Sequence, residues 1–162
     1  MNRIIPRGMI QEGIGPCKSN ITNFLNDAKL IIAENRLCHA LISVEFAIEE
    51  LGKVLVLRDA MKQDSKNMVR VEGWVFGSHH RKSEIVWEFL DPKYKTVFDE
   101  GVWDDEIWER GMWETNTKIS HETRCDCAFV DFISPKWLLG RDIKQGLLAE
   151  LIDHIEKKLP EA

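Results

Sequence analysis

The chain has 162 residues, and no stretch rich in proline, glycine or serine divides it, so a single domain with a sizeable core is expected. Its net charge of −5, from 22 basic and 27 acidic residues, excludes non-specific attraction of nucleic acid by bulk positive charge. Four cysteines, no apolar export signal and no apolar run of about 18 residues together predict a cytoplasmic protein with reduced thiols and no membrane association.

The N-terminal residues 1–18 contain two prolines and three glycines and few periodic apolar positions, which predicts a loosely ordered lead-in. Ser19 or Asn20 can then cap the N-terminus of a first helix. Its apolar residues recur at steps of three and four: Ile21, Phe24, Leu25, Ala28, Ile31 and Ile32. We expect residues 19–162 to form one helical-bundle domain.

A second helix is predicted from about residue 35 to residue 62. Its apolar stripe alternates steps of four and three: Leu37, Leu41, Val44, Ile48, Leu51 and Leu55. Further apolar residues lie away from that stripe, so this helix is expected to be central. Gly52 interrupts it at a cost of about 1 kcal/mol relative to alanine, which predicts a close contact with a neighbouring element at that position.

The second half of the chain is predicted to contain two more clear helices, at about 67–90 and 141–159. Between them, residues 91–113 are acidic and aromatic and indicate a variable connection. Residues 114–133 are expected to begin helical and to lead into the apolar sequence CAFVDFI, whose composition also suits an extended segment. The pattern as a whole predicts an all-α antiparallel helical bundle.

Lys82 lies in the apolar stripe of the helix predicted at 67–90. A buried, unpaired ammonium costs several kcal/mol, so Lys82 is expected either to pair with a carboxylate or to extend its amine to solvent. The candidate partners, Glu45, Glu49 and Glu50, lie on the second helix. Glu45, Glu49 and Lys53 also form an i, i+4 line there, which could be a surface ion-pair row or a buried cluster that only fixes helix register.

Three short motifs, in this order and spacing, resemble the AbiV family of abortive-infection proteins, which is grouped with the HEPN superfamily of helical bundles. They are ALISVEFAIEELGK from Ala40 to Lys53, F-x-x-H-x-x-K through Phe76, His79 and Lys82, and CAFVDF from Cys127 to Phe132. The resemblance covers roughly residues 20 to 135. It implies an HEPN-like bundle, an antiphage role in the cytosol, metal-independent cleavage of RNA, and a homodimer.

HEPN ribonucleases usually carry the motif R-x4-6-H, and this chain departs from it. Arg36 lies only three residues before His39, and Arg70 lies nine before His79. If the chain cleaves RNA, other residues must do so.

The residues predicted to replace that motif come from the motif at Ala40 to Lys53 and from the motif that runs from Phe76 to Lys82. His79 or His80 is the expected general base, because histidine titrates near neutral pH. Lys82 and Lys53 are expected to hold the phosphate and stabilise its developing charge, and Glu49 to orient one of these groups.

A metal centre is the rival chemical interpretation, and its candidate ligands are His79, His80, His121, Cys125 and Cys127. The chain has no Glu-x-x-His pair of the kind that builds di-iron sites in bundles, and the two neighbouring cysteines are not followed by a second pair. We therefore expect no metal and no cofactor.

The non-enzymatic alternative is a helical protein-interaction module whose charge cluster is purely structural. Trp103, Trp108 and Trp113 lie in the acidic segment, where the carboxylates would repel phosphate. Tryptophan is enriched at protein interfaces, so this segment favours a phage or host protein as partner.

Overall fold

The structure is a computed structural model that describes residues 2–90, 131–133, 136–138 and 145–162. For Cys38, His79, His80 and residues 131–133 and 136–138 it describes the backbone alone. The elements, in chain order, are β1 Asn2–Pro6, α1 Arg7–Ala33, α2 Leu37–Ala60, β2 Met68–Glu72, a 3-10 helix Gly73–Phe76, α3 His79–Leu90, β3 Asp131–Ile133, β4 Lys136–Leu138 and α4 Gln145–Lys158.

A tight turn joins α1 to α2 and makes the two helices antiparallel. Asn35 adopts the left-handed conformation, with φ 55°, which asparagine tolerates better than most residues. Its N–H donates to the carbonyl of Ile32 at 2.9 Å, and the Arg36 N–H donates to that of Ile31 at 3.2 Å. This Schellman arrangement satisfies the last carbonyls of α1 and reverses the chain within three residues.

The main core lies where α2 packs against α1, α3 and α4. Its fully buried large residues include Ile21, Leu25, Leu41, Val44, Ile48, Leu51, Leu90, Leu148, Leu151, Ile152 and Ile155. The predicted central helix is confirmed, and its observed ends, Leu37 and Ala60, lie within two residues of the predicted ones. The all-α bundle is also confirmed, with two small antiparallel ribbons added to it.

The first ribbon pairs β1 with β2, and Ile5 stands opposite Val69. The helix predicted from residue 67 is therefore wrong over its first part, because residues 68–76 form β2 and the 3-10 helix and α3 begins at His79. The physical reason is visible in Met68–Glu72, where buried and exposed residues alternate with a period of two. Val71 and Val75, four residues apart, fitted a helical stripe equally well.

The N-terminal segment also differs from the prediction. Where a loosely ordered lead-in was expected at residues 1–18, β1 is followed by the first turns of α1, and the predicted helix start at Ser19 or Asn20 is wrong. Ile10 is 2% exposed and belongs to a second core cluster with Leu57, Ala60, Val69, Val71 and Val75. Tertiary contacts thus stabilise the first turns of α1, although the glycines and the proline of this stretch disfavour helix.

The Arg7 side chain anchors the start of α1. Its guanidinium donates to the carbonyl oxygens of Met61 at 2.8 Å, Gln63 at 2.5 Å and Ser65 at 3.0 Å, just past the end of α2. A positive charge at this position also suits the negative end of the α2 dipole.

The closing helix is confirmed for Gln145–Lys158, while residues 141–144 of the predicted span lie outside the described residues. Lys29 of α1 forms an ion pair with Glu156 of α4 at 2.6 Å, and His154 Nε2 lies 2.7 Å from the carbonyl oxygen of Leu90. Asp131–Ile133 pairs with Lys136–Leu138, so the end of the CAFVDFI segment is extended. The connection predicted at 91–113, and residues 114–130, also lie outside the described residues.

Candidate functional site

The backbones of α2 and α3 meet at Gly52. A Cβ atom built on Gly52 would lie 2.3 Å from the carbonyl oxygen of Lys82 and 2.8 Å from its carbonyl carbon. No side chain fits in that space, so the close contact predicted at Gly52 is confirmed. The crossing brings the turn of α3 that carries Lys82 directly against α2.

Lys82 and Glu49 form a buried ion pair across this crossing. The Nζ of Lys82 lies 3.3 Å from Oε2 of Glu49, and the two side chains are 6% and 7% exposed. The requirement for a carboxylate partner is confirmed, and the alternative that Lys82 extends its amine into solvent is wrong. Such a pair is stable only while both partners are present, because either charge alone would be left desolvated.

Lys53 does not pair with Glu49, although their i, i+4 spacing suggests such a pair. Its Nζ lies 2.5 Å from Oε1 of Glu50, three residues earlier, and both side chains keep some exposure, 23% and 17%. Glu49 is directed across to α3 instead. Glu45, one turn before Glu49, is buried at 1% exposure, so the row of charges on α2 is not a solvated surface stripe.

Cys17 of α1 completes this group of residues. Burial raises the pKa of the Cys17 thiol above its usual range, and the charge of Glu50 raises it further. The hydrogen bond between the thiol and Glu50 acts in the same direction, while the Lys53 ammonium opposes it. The thiol is therefore a protonated donor to Glu50 and is poorly suited to be a nucleophile.

The sequence carried no signal for this role of Cys17, because the contact joins α1 to α2 across 33 positions. The other oxygen of Glu50, Oε2, is buried and has no hydrogen-bond partner in the part of the chain that the structure describes.

His79 and His80 are the first two residues of α3, one turn before Lys82. Ser78 precedes them, and its hydroxyl accepts a hydrogen bond from the Arg81 N–H at 3.5 Å, which is a weak N-cap. The crossing at Gly52 thus places the backbone of both histidines at the end of α3 that is held against α2. Their roles stay predictions.

No cluster of three or more metal-binding side chains occurs among the described residues. Three of the metal candidates, His121, Cys125 and Cys127, lie outside those residues. None of the described helices is long and apolar enough to cross a bilayer.

Comparison with curated proteins and with solved structures finds no match for this chain in either set. A match does exist at the level of protein families. The model of the HEPN_AbiV family, described as AbiV, covers residues 9–159, which is nearly the whole chain. The chain therefore belongs to the AbiV family of HEPN-type proteins, and this membership indicates a role in abortive infection and defence.

Proposed function

We propose that this AbiV protein is a metal-independent endoribonuclease and that its site is the α2–α3 junction. The observation that carries the proposal is the buried Glu49–Lys82 pair, which holds the start of α3 against α2 one turn away from His79 and His80. The arrangement of a fixed helix end with two histidines suits proton transfer, which needs titratable groups at a defined position.

In the proposed reaction one of the two histidines removes the proton from a ribose 2′-hydroxyl. The 2′-oxygen then attacks the adjacent phosphorus, and the bond from phosphorus to the 5′-oxygen of the next nucleotide breaks. The products are a 2′,3′-cyclic phosphate and a 5′-hydroxyl, whose proton is supplied by the other histidine or by water. No metal enters this sequence of bonds.

The lysines have different roles in this scheme. Lys53 keeps partial exposure and can turn from Glu50 towards a phosphate, where it would stabilise the charge that develops on the oxygens. Lys82 is bonded to Glu49 and is almost fully enclosed. In this arrangement Lys82 and Glu49 act as positioning residues for the histidines, so the direct phosphate contact predicted for Lys82 is not part of the proposal.

The proposal is tested with purified protein, total cellular RNA and an excess of chelator. We expect cleavage that resists the chelator and leaves 2′,3′-cyclic phosphate ends, and we expect the His79→Ala, His80→Ala double variant to abolish it. Thermal unfolding of each variant checks that the fold is kept. RNA that stays intact with the wild-type protein, or cleavage that survives in the double variant, would contradict the proposal.

A second candidate function is a helical protein-interaction module, as considered above. It is favoured by one observation, namely that Glu49 and Lys82 satisfy each other away from solvent. A buried pair can fix the register of two helices without taking part in chemistry. Intact RNA, together with a phage or host protein that copurifies in stable stoichiometry, would support this alternative.

In either case we propose a homodimer that acts in the cytoplasm. The oligomeric state is measured by light scattering across a range of protein concentrations, and a monomer at every concentration would contradict the dimer.

A further inference from the structure

Two arginines lie over aromatic rings of the 3-10 turn that leads into α3. The Cζ of Arg3 is 4.8 Å from the centre of the Phe76 ring, and the Cζ of Arg81 is 5.8 Å from the ring of Trp74. We call these four residues the arginine–aromatic patch. Phe76 is 42% exposed, so part of its ring is open to solvent. The patch therefore presents ring faces and guanidinium planes to solvent.

The guanidinium groups of the two arginines in the patch differ from those of Arg7, Arg58 and Arg70 in their contacts. The guanidiniums of Arg7 and Arg58 donate to backbone carbonyl oxygens, and that of Arg70 lies against the side-chain amide of Asn2, whose oxygen it reaches when the amide is turned by 180°. Those three groups hold the fold together. Within the described residues the guanidiniums of Arg3 and Arg81 have neither a hydrogen bond nor an ion pair, and their contacts are with the rings.

The charge of the patch is positive in a protein whose net charge is −5. Among the described residues, one carboxylate is hydrogen-bonded to the patch: that of Glu72, which accepts from the indole N–H of Trp74. The two guanidiniums of the patch outnumber this carboxylate. A ligand that suits the patch thus has negative charge together with flat apolar groups that can stack on the rings and on the guanidinium planes.

We propose that the arginine–aromatic patch binds unpaired nucleotides of single-stranded RNA, with bases stacked on Phe76 and Trp74 and phosphates near Arg3 and Arg81. The inference rests on the proposed function, since the patch flanks the proposed catalytic histidines in sequence: Phe76 lies three residues before His79, and Arg81 lies two after it. Bases in a duplex are already stacked on each other and cannot use the rings. An acidic peptide would satisfy the arginines but would offer nothing to the rings.

Binding is measured in the His79→Ala, His80→Ala background, so that cleavage does not consume the probe. The probe is a fluorescent mixed-sequence RNA of about 12 nucleotides, a length within the usual site size, used alone and annealed to its complement. We expect the single strand to bind more tightly than the duplex. Phe76→Leu removes a stacking ring while keeping apolar bulk, and should weaken binding by about 5-fold to 150-fold, the range for the loss of one stacked base.

Log affinity falls as log salt concentration rises, and Arg3→Gln and Arg81→Gln should each make this negative slope shallower by about 0.7, the value for one phosphate contact on a single strand. Arg36→Gln is the matched control, because it removes the same charge from an exposed arginine at the start of α2, outside the patch. Equal effects of Arg36→Gln and Arg3→Gln would overturn the proposal. So would unchanged binding in Phe76→Leu, or binding of polyglutamate in place of RNA.

The two proposals can fail separately. RNA that binds to the patch but is never cut by the wild-type protein would overturn the ribonuclease function and leave the patch standing. RNA that is cut by the wild-type protein, with a KM that Phe76→Leu and Arg3→Gln leave unchanged, would overturn the patch and leave the function standing.

Discussion

The amine of Lys82 lies 3.3 Å from the carboxylate of Glu49 across two helices whose backbones touch at Gly52. The pair and the glycine depend on each other, because a side chain at position 52 would push α3 away and separate the two charges. With 6% and 7% exposure, neither charge has water as an alternative partner. The start of α3, where His79 and His80 lie, is therefore located by one steric and one electrostatic contact.

Lys82→Met should destabilise the protein by about 3–5 kcal/mol, because it removes the ammonium that neutralises the buried carboxylate of Glu49. Adding Glu49→Leu to Lys82→Met should recover most of that loss, since an apolar pair of similar volume has no charge to desolvate. Urea unfolding of the two single variants and the double variant measures the coupling energy. A loss below about 1 kcal/mol in Lys82→Met would show that the pair is solvated in solution.

Gly52→Ala should destabilise the protein by about 1–3 kcal/mol or more, because a Cβ atom collides with the backbone of Lys82 and α3 must shift. The shift should also reduce any RNA cleavage, since it displaces the helix that carries the histidines. Equilibrium unfolding and the cleavage assay check the two effects. A Gly52→Ala protein as stable as the wild type would mean that α2 and α3 do not approach this closely.

Gly13→Ala is the matched comparison, and it should stabilise the protein by about 0.5–1 kcal/mol. A Cβ atom at Gly13 meets nothing within 4 Å, so only the gain in helix propensity remains. The measurement is again the midpoint of urea unfolding. The neighbouring Gly15 and Pro16 disfavour helix. Destabilisation by Gly13→Ala would show that this stretch of α1 is not helical in solution.

Arg7→Gln should weaken the attachment of the N-terminal segment by about 2 kcal/mol, because charged hydrogen bonds to the carbonyls of Met61, Gln63 and Ser65 are lost. The effect should be local. Hydrogen exchange is expected to speed up in β1, β2 and the first turns of α1 before it does so in α2. Uniform loss of protection across all helices would contradict a local anchor, and Arg36→Gln again serves as the charge control.

The Cys17 thiol should make stability fall at alkaline pH. Its pKa is raised in the folded protein from the ordinary value of 9.0, so above about that pH the unfolded chain loses the thiol proton while the folded protein keeps it. The unfolded state then binds fewer protons, and the free energy of unfolding decreases as pH rises. Cys17→Ser keeps a hydroxyl donor for Glu50 but does not titrate, so its stability should fall less between pH 8 and pH 10 than that of the wild type. Parallel curves of stability against pH for the wild type and Cys17→Ser would contradict a raised pKa of the partly buried thiol.

Periodicity was sufficient where a helix is long and its apolar stripe is regular. The two ends of α2 and the C-terminal end of α4 follow from spacing alone, because each turn of such a helix places its apolar residues on the same buried side. Five-residue β2 is too short for this, and its Val71 matched a helical and an extended pattern equally. Only pairing with β1, more than sixty positions away, decided in favour of the strand.

In the candidate site, too, some features could be predicted from the sequence and others depend on the tertiary structure. From the sequence alone, an amine in an apolar stripe at Lys82 had either to pair with a carboxylate or to reach solvent, because the cost of burying a lone charge does not depend on the fold. The structure decided for the carboxylate. Which carboxylate it finds depends on geometry. The crossing at Gly52 selects Glu49, leaves Lys53 to Glu50, and brings Cys17 to Glu50 from a third helix. Composition and spacing describe one element at a time, whereas these contacts join elements whose relative placement is decided only when the whole core packs.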